Sequence, residues 1–283
     1  MTVRSLRVIV VSGLILLAEL ALINMPYAAE EPALEDYSVQ QLTDLYVDLT
    51  FAFEGNGKLE GLSKWPNSVP VKVMTFPRDS IFDKGDRFRE IIDLASSVAT
   101  SLDRGAGKHV LEAYGSEEMV NMALSPEARS RVTELASIFL YVGSRGEIKE
   151  TATMLSETIG RHVLDIHRGY LSGSVSAGGP LCYGVVLPEP NDPYTILRAW
   201  VFIEDTAAIE ECLYEEIMQS FGLFNDLPAG APSMFNDDMV YNVPTPLDWF
   251  MWRLHLDSRL RPGMSESEVR AVAPQLISDL LNR

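Results

Sequence analysis

Two apolar runs joined by a proline-bracketed turn, with a helix directly behind them, restrict the fold more than any other feature of this 283-residue chain. "LCYGVVL" (181–187) and "YTILRAWVFI" (194–203) are rich in β-branched and aromatic residues, as strands are. The connector "PEPNDP" has proline at both ends and Asn191-Asp192 inside, so it makes a turn, and the two runs are expected to pair antiparallel. "TAAIEECLYEEIMQSFGL" follows with helical spacing. Asp205 or Thr206 is its expected cap and Gly222 its end.

The rest of the chain mixes both element types. Leu42, Leu45, Tyr46 and Leu49 share one helix face, and "GNGKLEG" stops that helix. Trp65-Pro66 cannot lie inside a helix, and Val69, Val71 and Val73 alternate as on a strand. "DRFREIIDLASSVATSL" is an amphipathic helix, and the stretch after it has room for short strands. "SPEARSRVTELASIFLYVG" opens as a helix, with Ser125 as cap and Pro126 in the first turn. "EIKETATMLSETIGRHVLDIHRGYL" reads as one long helix, broken by "SGSVSAGGP". Two capped helices close the chain: Thr245 with Pro246 and Asp248, then Ser265 with Glu268. The expected class is α/β in the α+β sense. It comprises one domain over 30–283, a small mixed sheet with packed helices, and extra helices in the middle segment.

The first 29 residues read as an export signal. "MTVRSLR" is basic, "VIVVSGLILLAELALINM" is apolar, and "PYAAEEP" turns polar. A cut after Ala29 leaves Tyr27 three residues back, a cut after Ala28 leaves Pro26 there, and the apolar run is long enough to serve as an uncleaved anchor. The expected location is periplasmic or secreted, or else anchored to the inner membrane by this segment. Membrane contact is expected only through it. In an oxidising compartment the only two cysteines, Cys182 and Cys212, are expected to bridge, the alternative being two buried thiols. A net charge of −17 repels phosphate backbones, which excludes general nucleic-acid binding.

The chemistry-bearing residues gather around Glu215 and Glu216. A zinc-protease helix carries H-E-x-x-H because residues four apart share a face: two imidazoles hold the metal and the Glu activates water. Laid on this helix, the general-base position is Glu216 and the helix-breaking glycine is Gly222. The three histidine positions hold Glu215, Gln219 and Asn225. Neutral amide oxygens are poor zinc ligands, so no zinc site and no cofactor is expected. A hard cation such as calcium accepts oxygens more readily, and Glu215, Asn225, Asp226, Asn236, Asp237 and Asp238 offer several. The simpler reading is a hydrogen-bonded polar cluster of these residues with Gln219. His109 and His255 are single histidines, read as solvent-exposed or core rather than as ligands. Trp249, Phe250, Met251 and Trp252 are read as core.

Several stretches resemble one fold in order. "KWPNSVPVKV" resembles the first strand of metzincin-type proteases, and "LRAWVFI" stands where their substrate-binding edge strand stands. "PSMFNDD" resembles the segment beneath their metal, and "TPLDWFMWRLHLD" resembles their last helix. A closer resemblance is to the proteobacterial envelope proteins of domain of unknown function 2927. It rests on Cys212, Glu215, Glu216, Gln219, Gly222, Leu223, Asn225 and Asp226. It continues through Ser233, Phe235, Asn236, Asp237 and Asp238 to Asp257, Arg259, Leu260, Pro262, Gly263 and Met264. The match is strongest over 180–275. The resemblance implies export and a degenerate zincin-like core, and no established activity. Two functions follow as expectations. The first is a non-catalytic envelope protein that binds a peptide or protein in the former substrate cleft, adding a strand at "LRAWVFI". The second is a peptidase-like hydrolase with Glu216 as general base and an atypical metal or none.

Overall fold

The computed structural model describes residues 33–53, 57–66, 71–77, 86–114, 138–159, 181–206, 208–236 and 241–282. The chain divides into two units, one ending at Asp36 and one running from Tyr37 to Arg283. Of the first, a 3-10 turn at Leu34–Asp36 is described. The leader expected over 1–29 lies outside the described residues, as do the helix start at Ser125-Pro126, "SAGGP", Asp237 and Asp238.

The second unit opens with α1 (Val39–Phe51), capped by Ser38 and Gln41 in a capping box. Of the four residues the periodicity selects, Leu42, Tyr46 and Leu49 are buried and Leu45 is half-buried; Val47 and Phe51 are buried as well. β1 (Ala52–Phe53) and β2 (Gly57–Lys58) form a small antiparallel pair. β3 (Val71–Pro77), α2 (Asp86–Ala106), β4 (Leu111–Ala113), β5 (Ile138–Gly143) and α3 (Arg145–Ile159) follow. The hairpin is β6 (Cys182–Glu189) and β7 (Asp192–Glu204). Helices α4 (Ile209–Gln219), α5 (Pro246–His255) and α6 (Glu266–Leu281) complete it. The class is α/β, with a five-stranded mixed sheet. Among the described residues no helix is long and apolar enough to cross a membrane.

The sheet order is β4-β3-β5-β7-β6. Pairing is parallel from β4 through β7, and β6 runs antiparallel to β7 as the turn chemistry requires. The hairpin expectation holds, but the assignment of "LRAWVFI" to the sheet edge does not. β7 lies inside, between β5 and β6; among the described residues β6 ends the sheet on this side and β4 on the other. Trp200, Val201, Phe202 and Ile203 are all buried, on both faces, as in an interior strand whose two faces are both covered. A second correction concerns "IFLYVG", read as the end of a helix opened by Ser125. It is β5, an uncharged aromatic and β-branched run buried between β3 and β7.

Register explains one face of the core. Val185, Trp200, Phe139 and Met74 stand in line across four strands, as do Tyr183, Phe202 and Tyr141 across three. Phe139 stacks on Trp200 with centroids 5.8 Å apart, and Phe202 stacks on Tyr183 at 4.7 Å and Tyr141 at 5.5 Å. Such pairs contribute roughly 0.5–1.5 kcal/mol each beyond the area they bury. Ile148 and Ala152 of α3 pack on this face with Leu181 and Ile92.

The two cysteines join β6 to α4. Cys182 and Cys212 form a disulfide with Cα atoms 5.9 Å apart, as expected of the pair. The loop they close spans 30 residues, for which chain entropy gives about 3–4 kcal/mol. The Cys182→Ala/Cys212→Ala double variant is therefore expected to lose about that much stability in urea unfolding. A reductant should lower the wild-type midpoint likewise and leave the double variant unmoved.

Candidate functional site

Helix α4 presents three rows of side chains, and its contacts orient them. Cys212 and Glu216 are four apart and share one face. That face meets the edge strand. Cys212 is bonded to Cys182, and Glu216 Oε2 stands 3.2 Å from where a Cβ on Gly184 would be. Gly184 thus leaves the space that the Glu216 carboxylate takes up, and Glu216 is only 3% exposed. Burial raises the Tyr183 hydroxyl well above its ordinary range, and the nearby Glu216 charge adds to the shift. Turned roughly 100° to one side, Leu213 and Ile217 are fully buried. Turned the other way, Glu211, Glu215 and Gln219 are half-buried. Around the helix the order is core, then the face under β6, then a half-buried polar row.

The start of α4 differs from expectation. Ala208 is the cap residue and makes no side-chain cap bond. Thr206 Oγ1 accepts instead from the Ala208 amide, and the Asp205 carboxylate is held by Arg87. The latter is a bidentate ion pair, which takes Asp205 away from the helix terminus.

The end of α4 explains Gly222. Its φ is +120°, and a Cβ there would lie 2.1 Å from the Ser63 carbonyl oxygen and 3.1 Å from the His255 ring. The glycine therefore allows a close approach as well as a turn. Residues 62–65 thread this junction. The Lys64 amide donates to the Tyr194 carbonyl at 2.9 Å, and the Lys64 carbonyl accepts from the Ile196 amide at 2.8 Å. Trp65 Nε1 donates to the Ser220 carbonyl at 2.9 Å. Lys64 is buried, with Nζ donating to the carbonyls of Asp257 at 3.1 Å and Leu260 at 2.8 Å. Burial pulls its ammonium down to about 7, aided by Lys108 and opposed by Asp257.

His255 lies in the core, one of the two placements its sequence context allows. Its Nε2 is 2.9 Å from the Phe221 carbonyl, which only accepts, so Nε2 carries the proton. Nδ1 must then accept from the Tyr46 hydroxyl at 3.0 Å. Burial depresses this imidazole to about 3, helped by the Lys64 charge. His109 is exposed and paired with Asp103.

The loop after α4 is ordered by a helix cap. Asp248 of α5 forms the capping box with Thr245. It also accepts from Ser233 Oγ at 2.5 Å and the Met234 amide at 3.1 Å. Burial raises its carboxyl, and the donors from Ser233, Met234 and Thr245 offset that rise. Asn225 donates its Nδ2 to the Asp226 carbonyl at 3.0 Å, and Asn236 donates its own to the Ala231 carbonyl at 2.8 Å. Both amide nitrogens are thus engaged within the loop. Among the described residues, no three His, Cys, Asp or Glu side chains are grouped so that they could hold a metal ion. Phe250, Met251 and Trp252 are core, and Trp249 packs between Gly105 and Tyr214.

The sequence reading missed Gly184, Lys64 and the second task of Asp248. A buried Lys is among the rarest placements in a fold, and nothing local to "SKWP" signals one. His255 and Gly222 yield two expectations. Gly222→Ala should cost about 1–3 kcal/mol from backbone strain alone, with more from the clash at Ser63, read as a lowered midpoint in urea. Between pH 6.5 and 3 the unfolded chain takes up a proton at His255 that the folded chain does not. Stability should therefore fall as pH drops through that window, by a His255 share on the order of 5 kcal/mol. Comparing His255→Gln with the wild type across this range measures that share.

A family model described as a protein of unknown function, DUF2927, matches residues 39–275. No curated protein and no solved structure matches the chain.

Proposed function

The chain belongs to the DUF2927 family of proteins of unknown function, and from that premise we propose an exported envelope protein that binds an extended peptide or a partner's strand without catalysis. The scaffold is a degenerate zincin-like one. The site is the outer margin of β6 above helix α4, in place of the "LRAWVFI" strand, which is interior. What supports the scaffold is the order of parts: a helix before a small mixed sheet, an antiparallel edge strand, then the Glu-Gln helix beneath it and a capped helix after it. The two cysteines and the apolar N-terminal run support export.

The observation that carries the non-catalytic reading is Glu216 packed under Gly184. A general base must reach the proton it abstracts within about 2.6–3.2 Å. In this fold the Glu216 carboxylate abuts the edge-strand backbone itself, and the disulfide ties that strand to the same helix face. A strand edge binds an added strand through backbone hydrogen bonds, without any such base. Glu215, Gln219, Asn225, Asp226 and Asn236 then form a structural polar cluster, with Asn225 and Asn236 bonded within the loop after α4.

Metal analysis and one substitution test this. Purified protein is expected to carry no stoichiometric zinc and to keep its unfolding temperature in chelator; a stoichiometric transition metal would overturn the reading. Glu216→Gln is expected to leave peptide binding within about twofold of the wild type. A peptidase or esterase activity that this change abolishes would place the protein among hydrolases instead.

A further inference from the structure

We propose that residues 62–65 form a pH-operated strap, closed against the start of β7 and the end of α4 only while the Lys64 side chain is an uncharged amine.

The strap is extended chain between elements, and all four of its residues are buried. A few bonds hold it. The Leu62 amide donates to the Met264 carbonyl at 2.8 Å, and the Leu62 carbonyl accepts from the Gly263 amide at 2.9 Å. The Lys64 backbone makes a single bridge to β7, through Tyr194 and Ile196. Trp65 Nε1 reaches the Ser220 carbonyl at the end of α4. A segment held this way opens at less cost than the sheet beside it unfolds.

The Lys64 side chain fixes the middle of the strap, and its surroundings count protons. Its Nζ is within hydrogen-bond distance of two acceptors, the carbonyls of Asp257 and Leu260. An uncharged amine has two N–H donors and matches them. An ammonium brings a third donor and a full charge into a place where Lys64 is only 2% exposed. Both oxygens of the Asp257 carboxylate are held by Arg259, which donates from its amide, its Nε and its Nη2. The other groups around Lys64 do not favour charge. Lys108 brings a second cation to the same helix end, on the Leu256 carbonyl. His255 of α5 is neutral, donating to Phe221 and accepting from Tyr46 of α1. Burial, with Lys108 against it and Asp257 for it, brings the Lys64 ammonium down to about 7.

The sign follows from proton counting. In the open strap Lys64 is in water and holds its proton up to about pH 10.5. Between the two values the open form carries more protons than the closed one, so rising pH closes the strap and falling pH loosens it. Below about pH 7 this group adds no further change. The window lies above that of His255, and the two effects are separable.

Backbone amide exchange by NMR, with intrinsic rates divided out, supplies the test. The opening constant at the Lys64 and Ile196 amides is expected to fall about tenfold per pH unit from about pH 7.5 to about 9.5. The Val201 and Phe202 amides, inside the sheet, should stay at least about tenfold better protected throughout. The Lys64 Cε resonance, in carbon-13 lysine protein, should titrate near pH 7. Lys64→Met should remove the slope at Ile196. Titration of Lys64 above about pH 9, or exchange at Ile196 that is flat with pH, would overturn the proposal. Equal opening constants at Ile196 and Val201 would make the event global unfolding and overturn the strap. A slope that persists in Lys64→Met would give it to another group. If Lys64→Met does not fold, the wild-type titration and exchange still decide between these outcomes.

Discussion

Strand β7 is the constraint from which the rest of the architecture follows. It is thirteen residues long, pairs parallel with β5 and antiparallel with β6, and near its start bonds both ways to Lys64. Its Trp200–Ile203 run is apolar on both faces, so both must be covered. The aromatic layer with Ile148 and Ala152 of α3 covers one. Helix α4 packs toward the other and comes to lie under β6. The position of Glu216 is a consequence of this covering.

The junction at the end of α4 shows how a protease-like pattern persists for reasons of packing. Gly222 gives room to the Ser63 carbonyl and the His255 ring. His255, locked as one tautomer between Tyr46 and the Phe221 carbonyl, joins α1, α5 and the α4 end. Lys64 ties the same corner to the turn after α5. Each buried polar group here has defined partners, and the loss of any one strands another in a place water does not reach. A glycine at this place in the sequence therefore answers to geometry around a histidine and a carbonyl, with no ion required.

Several parts of this were legible in the residues. Periodicity located α1, α2 and α4, and the boxes at Thr245–Asp248 and Ser265–Glu268 placed two starts correctly. The turn at Asn191-Asp192 announced an antiparallel hairpin. The errors have a common cause. "IFLYVG" and "LRAWVFI" are apolar runs whose type and place depend on how many neighbours they acquire, and that is decided by pairing with distant segments. The cap expected at Asp205 failed because Arg87, far away in sequence, had claimed its carboxylate.

By itself the sequence determined the element types where period and caps agree, the disulfide pair by count, and the sign of the molecule's field. Only the tertiary structure decided which strand is the edge, which carboxylate of the Glu215-Glu216 pair is buried, and that Gly184 makes the room for it. The physical reason is range. Caps, turns and helical faces are set by residues within four or five positions, whereas burial and edge status are set by partners that folding brings together from far along the chain.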